Sequence, residues 1–237
     1  MLMSSFPAAA FATNCYVLAS GPGEECLVVD PGIGVLDDLA LVLAKHRLRP
    51  AAVLLTHGHL DHVYSVTPVC AANGVPALVH AEDVYRLADP IATLDPSLVA
   101  MLEQEFGDKA AWREPEDVRT LVHAERLELA GLSFEVLHAP GHTEGSVMFA
   151  LSEVPDQLDG EVGDPGRPTS TVLAGDVVFA GSIGRTDLPG GSHPAMMRSL
   201  REVVLPLPDT TLLLPGHGPA TTMARERAAN PYLVEIP

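Results

Sequence analysis

The chain has 237 residues, 47% of them hydrophobic and 19% charged, which is enough for a sizeable buried core. Its 14 Lys and Arg against 31 Asp and Glu give a net charge of −17, which disfavours nucleic acid and anionic membrane faces as partners. The opening stretch MLMSSFPAAAFATNCYVL lacks a basic n-region and a long apolar core, and no apolar run approaches the ~18 residues that span a bilayer, so a cytoplasmic protein is expected. Three cysteines, Cys15, Cys26 and Cys70, are odd in number and set among apolar neighbours, as reduced thiols without a catalytic or metal role would be.

Short apolar runs at 15–20 (CYVLAS) and 26–30 (CLVVD) read as strands, the second ended by the turn PGIG. Residues 35–47 carry apolar positions at three- and four-residue spacing and predict an amphipathic helix. A buried strand at 51–56 follows, then a helix over 62–73 ended by Asn73-Gly74, then a strand at 76–80. The acidic, helix-forming segment 81–117 predicts two helices covering one face. RLELAGLSFEVLHA (126–139) predicts a hairpin turning at Ala130-Gly131, followed by a strand at 146–151. The polar, Gly/Pro-rich stretch 152–170 reads as a hairpin loop rather than a domain boundary. A strand at 171–175, a helix at 194–204 with Ser192 as its N-cap, and a strand at 210–215 complete the core.

Only 10 residues of the chain are histidine, yet three fall with an aspartate inside LLTHGHLDHV, directly behind the strand at 51–56. His57, His59, Asp61 and His62 are joined by His142 in APGHTEGS, Asp176 in AGDVVF and His217 in PGHGPA, each in a loop just after a predicted strand. Imidazole and carboxylate suit zinc, iron or manganese without any thiolate. In extended backbone His57 and His59 point the same way and can grip one ion, while Asp61 and His62 can turn toward a second. Glycines beside these positions leave room for backbones to crowd a metal.

His57-Gly58-His59-Leu60-Asp61-His62, with His142, Asp176 and His217 in this order, resembles the metallo-β-lactamase superfamily. VVDPG (28–32), PGHTEGSV (140–147), FAGSIGRTDLPGG (179–191), PGHGPAT (215–221) and ERAANPYL (226–233) are similar to the short glyoxalase II-like hydrolases. The resemblance implies an α/β fold, an αβ/βα four-layer sandwich formed as one domain over 1–237. It also implies two divalent ions, with zinc first and iron or manganese as alternatives. His57, His59 and His142 would hold the first ion, Asp61, His62 and His217 the second, and Asp176 would bridge. A hydroxide between two cations about 3.5–4 Å apart would attack a small-molecule thioester, S-lactoylglutathione or another thiol conjugate. Asp61 and Asp176 are thus the catalytic carboxylates.

Asp30 in VVDPG would orient a ligand imidazole from behind or cap a turn. Thr56 and Thr143 flank ligands. Arg185 would bind an anionic substrate or pair with Asp187 as a loop staple. His46, His80, His123, His138 and His193 read as structural. Full-length glyoxalase II enzymes carry a further helical segment that grips glutathione, whereas only residues 218–237 follow His217, which leaves the thiol open. The rival readings are a persulfide dioxygenase with one iron on His57, His142 and Asp176, a lactonase, and a binding protein with a vestigial site. Monomer and homodimer are both compatible with the sequence.

Overall fold

The computed structural model describes residues 1–91, 94, 97, 99–101, 104, 112–157 and 168–236. Six strands, β1 (Leu2–Pro7), β2 (Asn14–Ala19), β3 (Glu25–Val29), β4 (Arg49–Leu54), β5 (Ala77–His80) and β6 (Val118–Leu121), form one sheet in sequential order. β1 to β3 pair antiparallel, and β3 to β6 pair parallel. A second sheet takes β7 (Arg126–Leu129), β8 (Leu132–His138), β9 (Val147–Leu151), β10 (Ser170–Gly175), β13 (Thr211–Pro215) and β14 (Thr221–Thr222) in the order β14-β13-β10-β9-β8-β7. A short hairpin, β11 (Val178–Phe179) with β12 (Ser182–Ile183), stands apart from both.

Alternation along the strands divides the apolar residues between two faces. Leu18, Leu27, Leu54 and Leu78 of the first sheet meet Phe134, Phe149, Leu173 and Leu212 of the second in one buried cluster. The opposite faces carry the helices. Val17, Val28, Val53 and Val79 pack against α1 (Leu36–His46), α2 (Leu60–Val63), α3 (Val66–Asn73) and α4 (Val84–Ala88) through residues such as Leu39, Val63, Val69 and Leu87. Met148, Val172 and Leu213 pack against α5 (His193–Ser199), α6 (Met223–Ala229) and α7 (Pro231–Val234). The result is helix, sheet, sheet, helix: the four-layer αβ/βα sandwich expected from the resemblance.

The helix expected over 62–73 is two helices. Ser65 leaves the helical ladder because its N–H donates to Pro31 O (2.9 Å) and its hydroxyl to Gly32 O (2.6 Å), tying it to the turn after β3. The helix at 194–204 begins one residue early and widens at Leu200–Val204 into a π-turn, with Leu205 N donating to Leu200 O (2.8 Å). Ser192 does cap it, accepting from Ala195 N. The hairpin turns at Ala130 and Gly131, both at positive φ. Within 81–117 the structure shows α4, and the second helix expected there falls largely outside the described residues. Positions 158–167 also lie outside them, though β9 and β10 pair antiparallel as a hairpin requires.

All three cysteines are free and buried. Burial pushes the Cys26 and Cys70 thiols up to about 12, so neither is a ready thiolate. Among the described residues no helix is long and apolar enough to cross a membrane.

Candidate metal centre

Four strand exits converge on one edge of the sandwich. β4 delivers 56–62, the β8–β9 connection delivers His142, β10 delivers Asp176 and β13 delivers His217. Backbone bonds lock these exits together: Val147 N donates to Thr56 O (2.8 Å) and Asn14 N to Gly216 O (2.7 Å) across the two sheets, and Gly216 N donates to Gly175 O (2.8 Å) within the second. The β10–β13 register slips between Leu173 and Gly175, and the bulge re-aims Asp176 inward. A side chain at Gly216 would collide with the Asp176 carboxylate and the His62 ring, so that position has room only for hydrogen.

Hydrogen bonds behind the imidazoles fix which nitrogen faces the pocket. His142 Nδ1 donates to Arg185 O (2.7 Å) and His217 Nδ1 to Phe11 O (3.1 Å), because a carbonyl only accepts. His62 Nδ1 donates to Asp30 Oδ2 (3.0 Å). The single Thr56 hydroxyl proton goes to Asp30 Oδ2 (2.6 Å), so at 3.1 Å Thr56 accepts from His57 Nδ1. All four rings therefore turn Nε2 inward, and His59 turns Nδ1 inward.

The inward atoms form two groups. His59 Nδ1 lies 2.8 Å from His142 Nε2 and 3.2 Å from His57 Nε2. His217 Nε2 lies 3.3 Å from His62 Nε2 and 3.2 Å from Asp61 Oδ2. Asp176 sits between them, with Oδ1 3.4 Å from His62 Nε2 and Oδ2 3.5 Å from His142 Nε2 and 3.6 Å from His217 Nε2. Its Oδ1 is buried and accepts no hydrogen bond. Five imidazole nitrogens and two carboxylates crowded this closely are a donor set that fits metal ions and is poorly suited to packing alone.

As titrating groups the histidines divide along the same line. Burial, then neighbouring imidazoles, hold His57 well below its usual value and bring His59 down to about 3. Burial lowers His142 too, against Asp176. Burial also opposes charge on His62, but Asp176, Asp61 and Asp30 together raise it well above the ordinary imidazole range. His217 is raised against burial by its bond to Asp61 and by Asp176. Asp61 is lowered despite burial, by His62, His217 and the Thr13 hydroxyl.

All seven ligand candidates read from the sequence thus meet in one place. Asp30 binds His62 and Thr56 rather than serving only as a turn cap. Arg185 projects outward, its side chain 61% exposed and bidentate to Asp187 (2.7 Å on each arm), while its carbonyl serves His142. Two contributors went unread. Thr13 donates to Asp61 Oδ2 (2.9 Å), and Asp83 binds the loops of His57–His59 and His142. Neither has a sequence signal beyond a polar residue beside a strand or in the first turn of a helix. His80, Glu82 and His138 also bring ligand-type atoms within 4.8 Å. The His80 and His138 rings, however, stack at 3.9 Å and 15°, so their lone pairs lie in separate, nearly parallel planes and do not meet at a point between the rings.

The metallo-beta-lactamase superfamily model matches residues 8–154. An uncharacterised protein of Mycobacterium tuberculosis is 42% identical over 98% of both chains. The probable metallo-hydrolase YqgX of Bacillus subtilis is 33% identical over 96% of this chain and 95% of its own. The hydroxyacylglutathione hydrolase GloC of Haemophilus influenzae is 31% identical over 98% of both. Among solved structures, the BLEG-1 B3 metallo-beta-lactamase superposes with a TM-score of 0.73 at 30% identity, covering 98% of this chain and 99% of that one. TTHA1623 in a di-iron-bound form does so with a TM-score of 0.73 at 33% identity, covering 97% and 100%. The sandwich, the ligand loops at its edge and these likenesses agree: the chain belongs to the metallo-β-lactamase superfamily and is a metallo-hydrolase.

Proposed function

We propose that the chain hydrolyses an acyl thioester, S-lactoylglutathione or an analogue on another thiol, in the cytoplasm with two divalent ions, zinc foremost. His57, His59 and His142 would hold one ion, Asp61, His62 and His217 the other, with Asp176 shared. The observation that carries this reading is the Asp176 carboxylate, seated between the two groups with an oxygen that no hydrogen bond satisfies. Support for the substrate class comes from the likeness to GloC, and for a dinuclear centre from the di-iron structure.

Bound there, the ions would lower the pKa of a water and polarise the carbonyl it attacks. The chain's own residues do the rest. Asp30, Thr56, Arg185 O and Phe11 O hold the ring tautomers, and Thr13 fixes one Asp61 oxygen. Arg185 can receive a substrate carboxylate only by exchanging Asp187 for it.

The test combines elemental analysis of protein purified without added metal with turnover of S-lactoylglutathione and a non-glutathione thioester, read as free thiol. Two ions per chain and thioester cleavage are expected. A single iron with oxygen uptake on glutathione persulfide, or lactone turnover without thioester turnover, would overturn the reading. Arg185→Ala should raise KM for an anionic thioester with kcat unchanged, whereas an unaltered KM would leave the pair with Asp187 as a loop staple alone.

Zinc loading should also depend on pH unevenly. His62 and His217, raised above their usual range, hold protons that zinc must displace, whereas His57, His59 and His142 are lowered and already neutral. As pH falls from about 8 to about 6, one of two zinc affinities should weaken much more steeply than the other in chelator competition. Parallel slopes would contradict this assignment of protons.

A further inference from the structure

We propose that Asp83 is a positioning residue for the His57–His59–His142 half of the centre. This rests on the dinuclear reading above. Asp83 ends the turn Ala81–Asp83 that follows β5 and is 0% exposed. Its carboxylate accepts four bonds: from Gly58 N (2.8 Å) and Thr143 Oγ1 (2.8 Å) on Oδ2, and from Gly145 N (2.9 Å) and Arg86 Nε (3.2 Å) on Oδ1. Gly58 is the residue between His57 and His59, while Thr143 and Gly145 lie one and three residues after His142. One buried carboxylate therefore pins the backbones of two loops that leave different sheets and carry three would-be ligands of one ion.

The bland role for an aspartate here is to cap α4, whose N-cap position it occupies. Asp83 makes no side-chain capping bond to that helix. All four of its acceptor positions are spent on the loops and on Arg86, which matches the capacity of a carboxylate. Arg86 extends the clamp outward, with Nη2 donating to Glu144 Oε2 (2.7 Å) and Pro189 O (2.9 Å). Fit is close as well: a Cβ on Gly58 would lie 2.7 Å from Arg86 Cβ.

Asp83→Asn keeps the shape but offers one acceptor oxygen and two N–H donors, so part of the donor set would face an N–H. Stepwise zinc affinity, measured by competition with a chromophoric chelator, should show one of the two steps weakened about 10- to 100-fold and the other nearly unchanged. Thr13→Val, which removes the donor to Asp61, should weaken the opposite step. If Asp83→Asn fails to fold, Thr143→Val removes a single bond from the same carboxylate and should weaken the same step by a smaller factor. Wild-type protein that binds fewer than two zinc ions would defeat the dinuclear reading itself. Wild-type protein with two ions, but variants that leave both steps unchanged or weaken both alike with a matching fall in Tm, would overturn the role assigned to Asp83.

Discussion

Asp176→Ala is expected to lower thioester turnover roughly a thousandfold, about 4 kcal/mol of transition-state stabilisation, with zinc content falling toward one ion per chain. Among the described residues Asp176 is the one carboxylate seated between the two groups, 3.5 Å from His142 Nε2 on one side and 3.4 Å from His62 Nε2 on the other. No other described carboxylate is placed to replace it. Asp61 is held on the His217 side by Thr13, and Asp30 lies behind His62 with its oxygens spent on Thr56 and that ring. The fold should survive, because Oδ1 accepts no hydrogen bond and truncation there strands no donor. Circular dichroism and Tm should therefore stay close to wild type while kcat collapses. Turnover within tenfold of wild type, at matched metal loading, would remove Asp176 from the mechanism.

How much of this was legible from the residues depends on the kind of signal. His57, His59, Asp61 and His62 are conspicuous because four ligand-type side chains crowd one loop, and His142, Asp176 and His217 because each follows an apolar run and a glycine. The sandwich followed from strands and amphipathic helices in both halves of the chain together with the family resemblance. The edge strands β1 and β6 were not read, since LMSSFP and VRTL mix polar and apolar residues and have a neighbour on one side only. The break at Tyr64-Ser65 depends on the carbonyls of Pro31 and Gly32, more than 30 residues earlier, and no local propensity encodes it. Backbone carbonyls are also why Arg185 was read through its guanidinium, when its contact with the centre is made by its peptide oxygen. Asp83 is the extreme case. Its four donors come from Gly58, Arg86, Thr143 and Gly145, a set that exists only after both sheets have formed.

Asp30→Asn should be at least as damaging as the loss of Asp176, and by a different route. Asp30 holds φ at 48°, a conformation that asparagine tolerates as well as aspartate, so the backbone has no reason to move. Thr56 N still needs an acceptor and keeps the amide oxygen in place of Oδ1. The NH2 group then stands where Oδ2 was, facing the Thr56 hydroxyl and His62 Nδ1, both of which now donate there. His62 Nδ1 must become an acceptor, which moves its proton to Nε2. The Thr56 hydroxyl must turn its proton to His57 Nδ1, 3.1 Å away, which likewise moves the His57 proton to Nε2. One isosteric change would thus place an N–H in each half of the pocket, where a lone pair is required. Where a carboxylate orients a catalytic imidazole, such a tautomer reversal costs on the order of 10⁴ in rate. Both zinc affinities should weaken, unlike the single-step effect of Asp83→Asn. Long-range ¹H–¹⁵N spectra, recorded at a pH where both rings are neutral, should report the protonated nitrogen of His57 and His62 moving from Nδ1 to Nε2. Unchanged imidazole tautomers together with wild-type zinc affinity would show that Asp30 shapes the turn after β3 without setting the protonation of the centre.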